Sequence, residues 1–143
     1  MAKATLPPSR EQTRAQPHPG RRPTHVARVL VVEDEPVTAE VFARTLRKNG
    51  YEVCIACDGL QALRVLRDKQ PDLMVLDLGL PTLPGIEVLR RLRNSDEPNL
   101  PVIVVSGAPA RALPNAAPLV QPGVWLEKPL RPNDLLSAIR KLS

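Results

Sequence analysis

Short apolar runs alternate along this chain with segments whose apolar residues recur every three or four positions. Residues 28–32 (RVLVV), which are apolar after Arg28, and residues 73–76 (LMVL) form uninterrupted apolar runs, which are typical of strands buried on both faces of a parallel sheet. Residues 51–56, 101–105 and 124–126 are further apolar segments of strand length. The pattern therefore predicts five strands.

Helical periodicity fills most of the intervals between these strands. Pro36 suits the first turn of a helix, because the backbone N–H that proline lacks has no partner within the helix at that position. The helix should end before Asn49 and Gly50, since an Asn-Gly pair favours helix termination. Further helices are predicted over residues 59–67, 86–93 and 133–142. Strands that alternate with helices indicate an α/β fold, a doubly wound five-stranded parallel sheet with helices on both faces.

The interval between the fourth and fifth strands breaks this alternation. Residues 108–123 contain Pro109, Pro114, Pro118 and Pro122. An interior proline removes a helical hydrogen bond and costs about 3 kcal/mol or more. We therefore predict that the fourth helix is short, disrupted or missing, with no regular three-turn helix across residues 115–122.

Residues 1–26 lack hydrophobic periodicity and contain five prolines, so they are predicted to form a disordered leader before an ordered domain at residues 27–143. Residues 1–27 carry five basic side chains and one acidic side chain, most of the net charge of +5. Such a basic leader can attract nucleic acid or acidic surfaces. We expect only weak, nonspecific binding from it.

Composition narrows the class of protein further. Hydrophobic residues make up 43% of the chain and charged residues 24%, which are ordinary values for a globular protein. No apolar run approaches the ~20 residues that a membrane helix needs, and the N-terminus lacks an apolar signal segment. We expect a cytoplasmic protein with no membrane partner.

Cys54 and Cys57 form a C-x-x-C pair, a spacing that can indicate redox chemistry. Here the pair falls on a predicted strand, where residues three apart lie ~10 Å from each other and face opposite sides. That separation excludes a disulfide. We interpret the two residues as ordinary buried thiols.

Polar side chains follow the predicted strands at the points where they end. They are Glu33, Asp34, Asp77, Ser106 and Lys128. Ligands of doubly wound folds bind at the carboxyl ends of the strands, so these residues should meet there. Carboxylates grouped in this way suit Mg²⁺, and a carboxylate can itself attack phosphorus. A lysine ammonium and a serine hydroxyl are suited to phosphoryl oxygens.

The motifs around these residues together resemble the receiver domain of two-component response regulators, and in particular the chemotaxis regulators. They are VLVVEDEP, LMVLDLGLP followed by Gly85, VIVVSG and WLEKPL. The resemblance covers residues 27–143 and implies a flavodoxin-like fold. It also implies a Mg²⁺-dependent phosphorylation of Asp77 by a sensor histidine kinase or a histidine phosphotransfer protein.

The resemblance implies a role for each site residue. Asp77 would be the phosphoacceptor, and it would ligate Mg²⁺ directly together with Asp34 and the backbone carbonyl of Gly79. Glu33 would hold the metal ion through water. Lys128 would pair with a phosphoryl oxygen.

Two further residues are implied to transmit the signal. Ser106 would close on the phosphoryl group, and Trp125 occupies the place of the switch aromatic. Gly79 and Ala108 stand where receivers carry side chains that tune hydrolysis, and neither can orient an attacking water. The sequence therefore predicts slow self-dephosphorylation.

The leading interpretation is a stand-alone receiver, since the chain ends soon after the last predicted helix. It would act on an unidentified downstream protein rather than as an enzyme with an external substrate. One alternative is a non-phosphorylated scaffold or adaptor that shares the fold. Another is a phosphatase-like hydrolase with Asp77 as nucleophile, which would need an acid where Gly79 stands.

Overall fold

The computed structural model describes residues 26–142, so the predicted leader lies almost entirely outside the described residues. Five strands form one parallel sheet in the order β2-β1-β3-β4-β5. The strands are β1 (Arg28–Val32), β2 (Glu52–Ala56), β3 (Leu73–Asp77), β4 (Val102–Ser106) and β5 (Gly123–Glu127). The predicted doubly wound sheet is confirmed.

Four α-helices connect or follow these strands within the described range. They are α1 (Pro36–Lys48), α2 (Gly59–Lys69), α3 (Gly85–Arg93) and α4 (Pro132–Leu142). Each helix begins within one residue of its predicted start, and α2 continues two residues beyond its predicted end. None of the helices in residues 26–142 has the length and apolarity needed to cross a membrane.

The core consists of two apolar layers, one on each face of the sheet. Val29 and Val31 of β1 pack in the layer covered by α1 and α4, whereas Leu30 and Val32 pack in the layer covered by α2 and α3. Successive strand residues point to opposite faces, so the middle of a strand covered on both sides is apolar at successive positions, as at residues 29–32. This geometry explains the uninterrupted apolar run of β1.

The proline-rich interval contains no α-helix, as predicted. Two short 3₁₀ helices, η1 (Ala110–Ala112) and η2 (Ala117–Val120), stand in its place. The buried side chain of Val120 packs in the layer that α2 and α3 cover. The segment therefore still covers the sheet, although its backbone cannot form a continuous helical ladder.

The prediction of two buried thiols is wrong. Cys54 is partly buried and Cys57 is exposed, and both cysteines are free. Because β2 is an edge strand, its side chains are less well covered than those of β1 or β3. Cys57 lies just beyond the end of β2, where its amide donates a hydrogen bond to Gln61 Oε1 at 2.7 Å.

Candidate functional site

The register of the sheet brings the ends of three strands to one level. Val32 of β1 pairs with Leu76 of β3, so Glu33 and Asp77 follow side by side. On the other side of β3, Asp77 pairs with Val105 of β4. Ser106 therefore lies one residue beyond the level of Asp77.

Asp77 is buried, with 4% of its surface exposed, and both of its carboxylate oxygens have partners. Oδ1 accepts a hydrogen bond from the amide of Gly79 at 2.9 Å. Oδ2 accepts one from Lys128 Nζ, also at 2.9 Å. Bonds to an ionised carboxylate are strong and short, so this pair fixes the orientation of the carboxylate. The side chain of Lys128 is 44% exposed, so the ammonium stands at the open side of the site.

Gly85 allows α3 to start directly against the loop that follows Asp77. A Cβ added at Gly85 would lie 2.6 Å from the Cα of Leu78 and 2.8 Å from the carbonyl oxygen of Asp77. Both distances are shorter than real Cβ contacts, so any larger residue would displace the loop. Close packing therefore explains why a glycine stands at this position.

The turn that carries the acidic pair is held by the start of α1. The amide of Glu35 donates to Glu33 Oε2 at 3.1 Å. Glu35 caps the helix in turn, because its Oε1 accepts from the amides of Val37 and Thr38. Pro36 occupies the first helical turn, as predicted. A hydrogen bond from a residue two positions along the chain thus orients the Glu33 carboxylate.

Three carboxylates meet at this edge of the sheet. Glu33, Asp34 and Asp77 each offer an oxygen atom, and these atoms lie within 4.8 Å of one another. Burial raises the pKa of Glu33, and the charges of Asp77 and Asp34 raise it further. The amide of Glu35 and the ammonium of Lys128 offset only part of that rise. Without a bound metal ion, the Lys128 ammonium therefore compensates only part of the repulsion among the three ionised carboxylates.

The same carboxylate charges also raise the pKa of Lys128, which favours its charged form. Burial is the largest single effect and lowers the pKa of the ammonium, but the hydrogen bond to Asp77 and the charges of Asp77, Glu33 and Asp34 together outweigh burial and raise the pKa. Lys128 therefore remains protonated at neutral pH, and its stabilising contribution is lost only as the pH rises through this elevated pKa.

The donor set fits a magnesium ion. All three side chains offer hard oxygen ligands, and Asp34 is exposed, which leaves an open side where water or phosphate oxygens can complete the coordination. The amide of Gly79, rather than its carbonyl, contacts Asp77. The ligand role of the Gly79 carbonyl stays a prediction.

Ser106 and Trp125 are linked through the backbone of Ala108. Ser106 Oγ accepts a hydrogen bond from the amide of Ala108 at 3.1 Å. The indole Nε1 of Trp125 donates to the carbonyl of the same Ala108 at 2.9 Å. No side-chain signal could reveal this link, because Ala108 contributes only backbone atoms.

Replacing Glu33 with glutamine should raise the melting temperature of the metal-free protein. The change removes a buried negative charge whose ionised form the neighbouring carboxylates disfavour. We expect an increase of about 2–4 °C in Tm. Differential scanning calorimetry in a chelator measures this increase.

The same substitution should weaken Mg²⁺ binding, because one of the three carboxylates around the metal position loses its charge. In the wild-type protein, Mg²⁺ affinity should fall on acidification from a higher pH than for an ordinary glutamate, since the pKa of Glu33 is raised. A metal-free Tm that drops in the glutamine variant would contradict the repulsion argument.

Comparison with known proteins identifies the class to which this fold and this site belong. Residues 29–140 match the response regulator receiver domain. The chain therefore belongs to the receiver domain family of response regulators, which operate in two-component signalling. Four acidic and basic residues of the site, Glu33, Asp34, Asp77 and Lys128, fall within the matched range.

Among curated relatives, the chain is 36% identical to the response regulator MprA of Mycobacterium sp. (strain KMS) over 115 residues. This alignment covers 80% of the chain and 50% of MprA. The chain thus spans only 35% to 50% of the length of such curated relatives.

Solved structures share the fold. The chemotaxis response regulator CheY4 of Vibrio cholerae has a TM-score of 0.76 and 27% identity, covering 82% of this chain and 99% of CheY4. The receiver domain of the sensor histidine kinase PA1611 from Pseudomonas aeruginosa has a TM-score of 0.71 and 26% identity, covering 81% of this chain and 96% of that domain. That structure holds a magnesium ion coordinated in its active-site cleft.

Proposed function

We propose that this chain is a phosphorylation-dependent switch in which Asp77 accepts a phosphoryl group. The donor would be a sensor histidine kinase or a histidine phosphotransfer protein, and phosphorylation would change which proteins the chain binds. The observation that carries this proposal is the contact of 2.9 Å between Lys128 Nζ and a buried Asp77 carboxylate, beside two further acidic residues.

Glu33, Asp34 and Asp77 would hold Mg²⁺, together with the Gly79 carbonyl. When bound, the ion supplies positive charge that offsets the negative charge of the incoming phosphoryl oxygens. This role would explain why three carboxylates lie together although they repel one another, because the same negative charges bind the cation.

In the transfer, one oxygen of Asp77 forms a bond to phosphorus as the phosphorus–nitrogen bond of the donor phosphohistidine breaks. The electron pair of that bond returns to the imidazole nitrogen. Lys128 stands beside Asp77 before the reaction and can pair with a phosphoryl oxygen as it arrives. Gly79 keeps the carboxylate oriented through its amide.

Phosphorylation adds a charge of about −1.5 to −2 and three acceptor oxygens beside Ser106. If the Ser106 side chain rotates so that its hydroxyl reaches one of these oxygens, the hydrogen bond that Oγ accepts from the Ala108 amide has to rearrange. Ala108 also accepts from Trp125, so the rearrangement would reach β5 and the adjoining 3₁₀ segment. We infer that output passes through this segment rather than through a regular fourth helix.

Incubation with a small phosphodonor and Mg²⁺ tests the proposal. We expect the mass of one phosphoryl group to appear on the intact protein, with the alkali lability of an acyl phosphate, and no incorporation in a chelator. Trp125 is the single tryptophan of the chain, so its fluorescence should change in step with incorporation. A protein that stays unmodified at saturating phosphodonor and Mg²⁺ would instead be a scaffold.

We expect the phosphorylated protein to lose its phosphoryl group over minutes to hours rather than seconds. Gly79 and Ala108 have no side-chain group that can orient an attacking water. Mass spectrometry after removal of the phosphodonor, with Mg²⁺ present and no phosphatase, measures the half-life. The variant Ala108→Asn should shorten it, and Ala112→Asn, which places the same side chain in η1, serves as control.

A further inference from the structure

Gly59 is the first residue of α2 and lies at the same carboxyl edge of the sheet as the candidate site. It is buried, and a Cβ added to it would lie 2.5 Å from the carbonyl oxygen of Leu83 and 2.8 Å from the Cβ of Leu83. The φ angle of Gly59 lies outside the left-handed region, so conformational freedom does not explain this glycine. Its missing side chain instead leaves the space into which the backbone at Leu83 packs.

The β3–α3 loop, residues 78–84, connects this contact to the candidate site. Near the start of the loop, the amide of Gly79 donates a hydrogen bond to Asp77 Oδ1 at 2.9 Å. Near its end, the backbone of Leu83 lies against Gly59. Only three residues separate Gly79 from Leu83, so a displacement at Leu83 begins close to the peptide that orients the Asp77 carboxylate.

The β3–α3 loop is closed and well anchored. The amide of Gly85 donates to the carbonyl of Leu78 at 3.3 Å, which joins the two ends of the loop. Leu80 is buried in the apolar layer that α2 and α3 cover, and Leu78 and Leu83 are partly buried there. Two prolines further restrict the backbone of the loop. A displacement at Leu83 is therefore transmitted along the loop rather than absorbed within it.

Thr82 shows that the loop is held in a conformation its own residues disfavour. Its φ angle is 61°, in the left-handed region that a β-branched residue rarely adopts. Such a conformation persists only where the surrounding structure fixes it. Leu83 directly follows Thr82, so the contact with Gly59 is one of the constraints that fix the loop.

A side chain at Gly59 could be accommodated by a shift of the loop or by a shift of α2, and either shift reaches the site. The first turn of α2 is fixed by its N-cap, because Asp58 Oδ1 accepts from the amide of Gln61 at 2.8 Å. Two residues before this cap, the carbonyl of Ala56 accepts from the amide of Glu33 at 3.0 Å. The start of α2 therefore borders the acidic cluster, just as the loop borders Asp77.

We propose that Gly59 is a positioning residue for phosphoryl transfer: it leaves space for Leu83 and thereby seats the β3–α3 loop so that the Gly79 amide stays against Asp77. This role rests on the proposed function, in which Asp77 accepts the phosphoryl group. Helix propensity alone favours alanine over glycine. The seat for the loop, rather than the helix, therefore accounts for the residue at this position.

The variant Gly59→Ala tests this role in the full chain, with phosphoramidate and Mg²⁺ and with intact-protein mass spectrometry as the measurement. Real Cβ contacts are essentially never shorter than 3.0 Å, so the loop or the helix must yield. We expect the maximal rate of incorporation to fall about tenfold, since misplacement by about 1 Å can cost about 100-fold. The half-saturating phosphoramidate concentration should change less than about twofold, because Gly59 does not contact the donor.

The Gly79 amide reports the position of the loop directly. In ¹H–¹⁵N NMR spectra of the unphosphorylated protein, Gly59→Ala should shift the Gly79 resonance, because the hydrogen bond to Asp77 Oδ1 changes in length. A substitution that only lowered stability would leave this resonance in place well below the Tm. The matched control is Leu60→Ala at the next, half-exposed position of α2, which should leave both the rate and the resonance close to those of the wild type.

Four outcomes decide the matter. Incorporation by Gly59→Ala at the wild-type maximal rate would overturn the role of Gly59, and so would a reduced rate with an unmoved Gly79 resonance. An equal loss in Leu60→Ala would attribute the effect to the start of α2 in general. A wild-type chain that is never phosphorylated would refute the proposed function, and the Gly79 resonance would still show whether Gly59 seats the loop.

A second variant covers the case in which Gly59→Ala does not fold. Leu83→Ala weakens the same contact from the loop side, because it removes the part of the side chain that packs in the α2/α3 layer. We expect a shifted Gly79 resonance and a maximal rate about threefold lower. Wild-type values for both quantities in Leu83→Ala would contradict a role for this seat.

Discussion

Replacing Asp77 with asparagine is expected to abolish phosphoryl incorporation from a small phosphodonor. An amide has no ionised oxygen to attack phosphorus, and it also removes the partner that holds Lys128 in place. The loss should be complete within the detection limit of intact-protein mass spectrometry. No other change to the chain should have a larger effect on its signalling chemistry.

The fold should survive this substitution. Asparagine has nearly the same shape, and its side-chain oxygen can still accept the hydrogen bond from the Gly79 amide. Lys128 is 44% exposed, so its ammonium can turn to water or to the neighbouring carboxylates. We therefore expect a folded, unphosphorylated protein whose Tm and circular dichroism remain close to those of the wild type.

The matched control is Asp68→Asn, which alters an exposed carboxylate on α2 outside the site. It should be phosphorylated at the wild-type rate. If Asp77→Asn were still modified with the same stoichiometry, another residue would be the acceptor. Peptide mapping of the modified chain would then identify that residue.

The second large effect concerns Arg93, whose guanidinium group joins α3 to the segment that replaces the fourth helix. It donates hydrogen bonds to five backbone carbonyls at distances from 2.7 to 3.3 Å. Three of these carbonyls belong to Leu119, Val120 and Pro122, and the other two to Pro98 and Leu100. A regular helix would satisfy such groups internally, but the prolines prevent one here.

We expect Arg93→Met to lower the free energy of unfolding by about 2–4 kcal/mol, because several partly buried carbonyls lose their donor while the apolar stem is kept. Arg93→Lys should give an intermediate loss, since an ammonium cannot reproduce the planar fork. Urea denaturation measures both effects. Limited proteolysis should in addition show faster cleavage within residues 108–122.

Arg91→Met provides the control, because Arg91 is an exposed neighbour on α3 whose partner is Glu87. Loss of such a surface pair should change stability by less than about 1 kcal/mol. Equal destabilisation by the Arg91 and Arg93 substitutions would mean that α3 itself, rather than the anchoring of the proline-rich segment, determines the loss.

Several features of this protein follow from the sequence alone, since they depend on local periodicity. The uninterrupted apolar run of β1 indicated a strand covered on both faces, and Pro36 indicated the start of α1. Four prolines between β4 and β5 excluded a regular helix. The motifs at the strand ends identified the family, because their order and spacing are specific even though each is weak alone.

The site was predictable as a set of residues but not as a set of contacts. The parallel sheet implied that Glu33, Asp34 and Asp77 would share an edge, and the structure places their oxygens within 4.8 Å of one another. Their roles remain proposals. The exposure of Cys57 was missed, because Cys57 lies just beyond the end of β2, and no local pattern shows that this strand is at the edge of the sheet.

The sequence by itself therefore determined the fold class, the broken fourth helix and the list of chemical groups at the carboxyl edge. Only the tertiary structure decided which backbone groups link the site residues and hold the proline-rich segment in place. Ala108 links Ser106 to Trp125 through its amide and carbonyl, and Arg93 satisfies carbonyls up to 29 residues away. Such contacts depend on long-range packing and on backbone atoms that every residue carries, so no side-chain pattern reveals them.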